Sequence, residues 1–352
     1  MLNNSGATEV NTSNQAKQKK SILSRVKTAL VVLPILFSMF YYPFLYLILM
    51  FIVIFISHKE YYNIELNITK KIFKDQFSDN TSSILIGSPL QTYIILLLPL
   101  LIYSFQNSEP FSIALVTFLL VVYRLSSFIY LYNSNKPKET NTPEEEKESL
   151  NKTENGSKLS SIKNNFNQQY ITTKMMNACL VVISLDFIFL FTYAMPLCYG
   201  ISLHHLEVGF TYVSLVVVIA YSCDVGALFG GLKFGKTQFG APITPTKTKE
   251  GVYCGIILAI FNSLLFRFIV LYLTNVAFFS DSIFMLFTII VIVTSIFGDF
   301  FESFLKRCGD IKDSGTIFPG HGGLLDRIDS ITLGLPVCYY FIKLNKVINI
   351  PI

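Results

Sequence analysis

The chain has 352 residues, of which 52% are hydrophobic and 14% charged, with a formal net charge of +5 and no tryptophan. A composition this apolar excludes an ordinary soluble domain, and the lack of a basic cluster on a polar face excludes a nucleic-acid binder. Several runs reach the ~20 apolar residues needed to cross a bilayer. Backbone groups that find no water there must be satisfied within helices, so the expectation is an all-α, polytopic integral membrane protein.

In chain order, residues 1–25 form a polar, basic tail ahead of an almost continuously apolar run at 28–57. That run is too long for one span of ~17–25 residues. Pro34, Pro43 and the YYP at 41–43 divide it into two retained helices, at about 26–41 and 43–58, unlike a cleavable leader. Further spans are expected near 84–104, 111–133, 175–199, 208–231, 252–276, 282–301 and 330–348, about nine in all. Residues 134–170 are rich in Asn, Ser, Lys and Glu and too polar to bury a core. They read as a disordered insert between the first transmembrane region (26–133) and a second (171–352).

Loop charge orders these spans. Lys17, Lys19, Lys20, Arg25 and Lys27 precede the first, and basic loops recur after the second, fourth, sixth and eighth, while loops 105–110, 200–207 and 277–281 carry no Lys or Arg. With nine spans all the basic loops share one face, the cytosolic one or its organellar equivalent. Five of the six cysteines lie in or beside apolar runs without CxxC spacing and read as buried small hydrophobes.

Polar chemistry concentrates late in the chain. Residues 303–329, SFLKRCGDIKDSGTIFPGHGGLLDRID, set Lys306, Arg307, Lys312, Asp313, His321, Asp326, Arg327 and Asp329 beside Gly315, Gly320, Gly322 and Gly323. Such groups next to apolar helices are costly and usually functional. Just upstream, GDFFES places Asp299, Glu302 and Ser303 at i, i+3 and i+4 on one helical face, extended by Lys306 and Arg307. The glycines of PGHGG let backbone amides approach an anion, Asp326 offers hard oxygen to Mg²⁺, and Arg327 offers a bidentate phosphate fork. His321 reads equally as a phosphate or proton-transfer group and as a turn-stabilising side chain. A second constellation, DVGALFGGLKFGK with ITPTKTKEG, contributes Asp224, Lys236, Lys247 and Lys249 on the same membrane face. Its glycines (Gly226, Gly230, Gly231, Gly235) are spaced for close helix packing.

These residues resemble the signature of the phosphatidate cytidylyltransferases (CDP-diacylglycerol synthases), in their bacterial and plastid branch. The pattern S-x-x-K-R, then K-D, then P-x-H-G-G-x-x-D-R-x-D is filled at every fixed position between Ser303 and Asp329. Thr244, Thr246 and Lys249 depart from the usual Ser, Lys and Trp of the second segment. The resemblance implies a membrane enzyme that joins CTP to phosphatidate with Mg²⁺, with room for a second cation. It implies that Asp299 and Asp326 hold the metal, and that Lys306, Arg307, Lys312, Asp313, His321 and Arg327 form the catalytic set. Asp224, Lys236, Lys247, Ser303, Gly322 and Gly323 would line the substrate pocket. The host would be an endoplasmic-reticulum or plastid-like membrane, and a homodimer is left open. Two other readings stand beside this one: a CTP-dependent polyprenol or dolichol kinase, and a transporter whose Asp186, Asp224 and Arg267 line a pathway.

Overall fold

The computed structural model describes residues 42–73, 89–104, 109–134, 154–206, 208–240, 242–275, 279–317 and 322–347. The chain falls into two compact units, 1–49 and 50–352. Of the first, residues 42–49 are described and form the opening of helix α1 (Pro43–Ile72). The expected helix at 26–41 lies outside the described residues.

The second unit holds the rest of α1 and nine more helices: α2 (Pro89–Ser104), α3 (Glu109–Ser134), α4 (Glu154–Phe189), α5 (Met195–His204), α6 (Gly209–Phe234), α7 (Lys249–Thr274), α8 (Asp281–Cys308), α9 (Leu325–Thr332) and α10 (Gly334–Val347). Among the described residues, six helical stretches are long and apolar enough to span a bilayer, and α2 is a shorter apolar helix. The protein is therefore all-α and built for a membrane, as the composition requires.

Three features differ from the sequence reading. Helix α1 runs to Ile72, so Lys59, Lys70 and Lys71 sit on a helix that continues beyond the apolar stretch. Helix α4 begins at Glu154, inside the segment expected as a disordered insert, because a polar sequence without proline can extend an apolar helix that is already nucleated. The expected last span is two helices, broken at Leu333 between α9 and α10. Neither reaches the ~20 residues of a full crossing.

Prolines and glycines set the remaining geometry. A π-helical turn at Leu190–Ala194 joins α4 to α5, directly before Pro196. Proline has no N–H to continue the α ladder, and a one-residue bulge absorbs the mismatch. Helices α6 and α7 approach so closely that a Cβ at Gly226 would lie 2.8 Å from the Gly255 Cα, and one at Gly251 would lie 2.6 Å from the Ala227 carbonyl oxygen. The glycine stripe is thus a packing surface.

Helix α8 buries Phe284, Phe287, Val291, Ser295, Gly298, Glu302 and Leu305, a spacing of three and four that marks one inward face. The acid at its start (Asp281) and the cations in its last turn (Lys306, Arg307) oppose the helix dipole favourably.

The N-terminal helices of this unit are held by a buried ion network. Arg124 of α3 donates from Nε to Asp186 Oδ2 of α4 at 2.5 Å and from Nη2 to Asp186 Oδ1 at 2.8 Å. The same Nη2 reaches Glu65 Oε1 of α1 at 3.1 Å. Gln91 of α2 donates to Asp186, and Thr92 Oγ1 lies 3.0 Å from His58 Nδ1. Arg124 and Asp186 are 2% exposed and Glu65 is fully buried. Asp186, read from sequence as an intramembrane charge of open purpose, is therefore a structural partner. Arg267 likewise pairs with Asp281, at 2.7 Å, at the start of α8. Asp186 and Arg267 thus each have an ion-pair partner of their own.

Candidate active site

The site is assembled at the C-terminal end of α8, the exit of α6, and the loop leading into α9. After α6 the chain makes a tight excursion: Phe239 N–H donates to Lys247 O at 2.8 Å, and Lys249 N–H donates to Thr237 O at 2.9 Å. Glu250, in the first turn of α7, accepts the Lys236 and Thr237 amides at 3.0 and 3.1 Å and the Thr237 hydroxyl at 2.7 Å. This pinning turns Lys247 toward α8, where its ammonium pairs with Asp299. The pair is open to solvent, with side chains 30% and 20% exposed.

Gly298 is the close-approach point of α8 and α9, since any Cβ there would overlap the Asp329 carbonyl. This contact brings Asp329 toward the end of α8 and the neighbourhood of Asp299, Glu302 and Asp224. Burial, and then the charges of Asp299, Glu302 and Asp224, hold the Asp329 carboxyl well above its ordinary pKa. Asp224 of α6 feels Asp299, Lys247 and Arg327. Asp224, Asp299 and Asp329, on three different helices, are thus near enough to act on one another electrostatically.

A second knot lies one turn further along α8. Lys306 pairs with Glu302 and donates to Asp326 Oδ1 at 2.6 Å. Asp326 Oδ2 also accepts the Gly323 amide at 2.7 Å and the Ser314 amide at 3.1 Å. Burial alone would raise the Asp326 pKa, but the Lys306 hydrogen bond and charge outweigh it and hold the carboxyl below its ordinary value. Gly322 has φ +81, and a Cβ there would lie 2.7 Å from Asp326 Oδ2, so the turn requires glycine twice over.

Of the residues expected from sequence, the structure joins Lys247 to Asp299 and Lys306 to Asp326, with Gly323 bonded to Asp326 and Gly322 packed beside it. The two aspartates expected to share a metal have separate partners. Ser303 is half-buried, and Arg307 donates to the Ile243 and Ile311 carbonyls at 3.3 and 3.4 Å, bridging the two loops. Lys236, Lys312, Asp313 and Arg327 are exposed, and Tyr221 donates to the Arg327 carbonyl at 3.3 Å. His321, with Pro319 and Gly320, lies outside the described residues.

Sequence reasoning missed Glu60. This buried residue of α1 accepts the Leu324 amide on Oε1 at 3.0 Å and the Leu325 amide on Oε2 at 2.8 Å. Ser314 Oγ adds a third bond, to Oε2, at 3.2 Å. Helix α1 carries two glutamates, Glu60 and Glu65, among lysines and tyrosines, and nothing local marks Glu60 as the one that reaches this loop.

Carboxylates and lysines are thus gathered at helix ends in an all-helical membrane protein. The model of the cytidylyltransferase family matches residues 23–345, and the chain belongs to that family. Among curated relatives, it is 45% identical over 135 residues to the phosphatidate cytidylyltransferase of Helicobacter pylori (strain 26695), covering 38% of this chain and 47% of the relative. It is 41% identical over 130 residues to that of Thermotoga maritima (37% and 48%). To that of Bacillus subtilis it is 37% identical over 153 residues (42% and 53%). The chain thus spans about half the length of these relatives.

Proposed function

We propose that this chain is a nucleotidyltransferase that converts CTP and phosphatidate to CDP-diacylglycerol and pyrophosphate in phospholipid synthesis. The observation that carries the reading is the pair of cations on converging elements: Lys247 on Asp299 and Lys306 between Glu302 and Asp326. Each ammonium is held by carboxylates that a phosphate can replace as partner. The relatives that match this chain carry the same activity in their names.

A phosphatidate monoester is mostly dianionic above its second pKa of about 6, so its oxygen needs no strong general base. That oxygen attacks the α-phosphorus of CTP, the bond from the α-phosphorus to the bridging oxygen breaks, and pyrophosphate leaves. Little covalent work falls to the protein; Lys247, Lys306, Lys312, Arg307 and Arg327 position and neutralise the phosphates. Asp313, Ser303 and the Gly322–Gly323 backbone would serve the same substrates, with Lys236 and Asp224 on the side of α6.

The donor chemistry suits Mg²⁺. Asp224, Asp299 and Asp329 offer hard oxygens, and Mg²⁺ keeps several waters and needs only one or two carboxylates. Asp299, partly exposed, is the better placed donor; Asp326, committed to Lys306 and two amides, joins it only after an exchange of partners. When bound, the cation supplies charge neutralisation on the transferring phosphate.

The placement of the basic loops supports a site on the cytosolic face or its organellar equivalent. The similarity to bacterial enzymes fits a plastid-like membrane as readily as the endoplasmic reticulum. The broad outer face of α7, which packs chiefly on α6, offers a surface for a second copy.

The test uses purified protein with phosphatidate, Mg²⁺ and CTP labelled either in the cytosine ring or at the γ-phosphate. Ring label in the lipid phase with release of pyrophosphate is expected. Transfer of the γ-label to lipid would instead establish a kinase.

A further inference from the structure

The signature loop between α8 and α9 is organised from outside itself. Residues 314–325 meet Glu60 at three donors, the Ser314 hydroxyl and the Leu324 and Leu325 amides, 254 to 265 positions away in the chain. Glu60 is 3% exposed. Among the described residues no lysine or arginine forms an ion pair with it. Its carboxylate is therefore matched by the free amides that open α9, the place where a helix has orphan donors.

The loop is cut to fit this carboxylate. A Cβ on Gly323 would lie 2.5 Å from Glu60 Oε2, and one on Gly315 would overlap Oε1. On the other side of the same few residues, Asp326 takes the Ser314 and Gly323 amides and passes the contact to Lys306. Ser314, Gly323, Leu324 and Leu325 thus lie between two carboxylates, one facing α1 and one facing the site.

We infer that Glu60 is a positioning residue: by clamping the start of α9 onto α1 it sets Asp326 and, through it, Lys306 for the phosphates. This inference rests on the reading of the site given above for its catalytic consequence, but the clamp itself is a structural statement. Neutralising Glu60 to Gln replaces one acceptor by an NH₂ group that faces a backbone N–H donor, so the clamp loses one bond and gains a repulsion. Shifts of about 1 Å at a reacting centre cost roughly 10²-fold in rate.

The experiment compares the full-length wild type with Glu60→Gln, Glu60→Ala and, as control, Lys59→Ala on the exposed neighbour. Hydrogen exchange is read at the Leu324 and Leu325 amides, and kcat and KM for CTP are measured on the folded fraction. Expected are faster exchange at both amides and a fall in kcat of roughly 10²-fold in Glu60→Ala, with KM for CTP moved less. Glu60→Gln should be intermediate and Lys59→Ala unchanged.

A second arm tests the fit from the loop side. Gly323→Ala, whose Cβ meets the Ser314 hydroxyl as well as the Glu60 carboxylate, should lower kcat in both backgrounds, and by a smaller factor in Glu60→Ala, where one of the two obstacles is gone. Unchanged protection in Glu60→Ala would overturn the clamp, and lost protection with unchanged kcat would overturn the positioning role. A wild type that makes no CDP-lipid would overturn the assigned activity while the exchange arm still decides the clamp.

Discussion

Two charged clusters are built into the helices of this protein, and they differ in what their charges are left free to do. In the N-terminal one, Arg124 is enclosed by Asp186 and Glu65, with all three side chains at most 2% exposed. In the C-terminal one, Lys247 and Asp299 keep 30% and 20% of their surface open, while Lys306, Asp326 and Glu302 keep 12%, 10% and 0%. Taking charges out of water costs several kcal/mol per ion, and only closely matched partners offset it. The closed cluster has them, spread over α1, α3 and α4, with α2 adding Gln91, so its charges act as cross-links between helices. The C-terminal cluster leaves the Lys247–Asp299 pair within reach of solvent, so under the proposed function a phosphate can take the carboxylate's place there. Charge density alone does not distinguish the two clusters; the accessibility of the Lys247–Asp299 pair does.

The comparison is tested most severely at Arg124. Arg124→Met strands two buried carboxylates and should cost about 3–5 kcal/mol of stability. Thermal unfolding in detergent checks this, and the KM for CTP of the surviving folded fraction should be unchanged. Replacing Arg124, Asp186 and Glu65 together by Met, Leu and Leu should recover most of the loss, because no charge is then left unpaired. A single variant as stable as wild type would remove the basis for calling this cluster a cross-link.

Asp299→Asn should show the opposite pattern. The melting temperature should stay within a few degrees of wild type, because its partner Lys247 can turn to water. CTP-dependent formation of CDP-lipid should drop roughly 10²–10³-fold, the size of losing one electrostatic contact to a transition state. Raising Mg²⁺ should not restore it. Full activity at ordinary Mg²⁺ would exclude Asp299 as the metal donor.

Smaller still is the effect of acid on the signature loop. The folded-state pKa of Asp326 is depressed, so the stability it contributes is complete above the ordinary carboxylate value and is lost as pH falls through the folded value. Exchange at the Ser314 and Gly323 amides should therefore accelerate, beyond the intrinsic pH dependence, only below the ordinary carboxylate pKa near 4. Asp326→Asn should abolish that acid step.

Much of the open cluster was legible because helix and loop spacing are local. Asp299, Glu302 and Lys306 recur on one face of α8, and PGHGG followed by Asp326 announces a turn against an anion. The glycine stripe of α6 was likewise legible as packing. Long-range partners were not. Nothing near Arg124 in sequence names Asp186, 62 positions on, and nothing near Glu60 names Leu325. The last span was misread because apolar content was taken as length. Gly334 and Leu335 continue the apolar pattern, yet α9 ends at Thr332, and Leu333, itself in right-handed helical dihedrals, separates it from α10. Helix α4 was misread in the other direction, since a polar stretch can ride on a helix that its apolar continuation has already formed.

The weakest expected effect sharpens the contrast between buried and exposed pairs on the same two elements. Helix α1 makes polar contacts of opposite exposure with the region after α8: through buried Glu60, and through Lys71, whose ammonium lies 2.8 Å from Asp310 Oδ1. The second contact is 50% and 71% exposed, in the range where ion pairs contribute about 0–1 kcal/mol and are screened by salt. Lys71→Ala should therefore leave kcat and the exchange of the Leu324 and Leu325 amides unchanged, and any shift in melting temperature should vanish at high ionic strength. If Lys71→Ala instead slowed turnover as much as Glu60→Ala, the loop would be responding to general contact with α1, and the carboxylate at position 60 would have no special place in it.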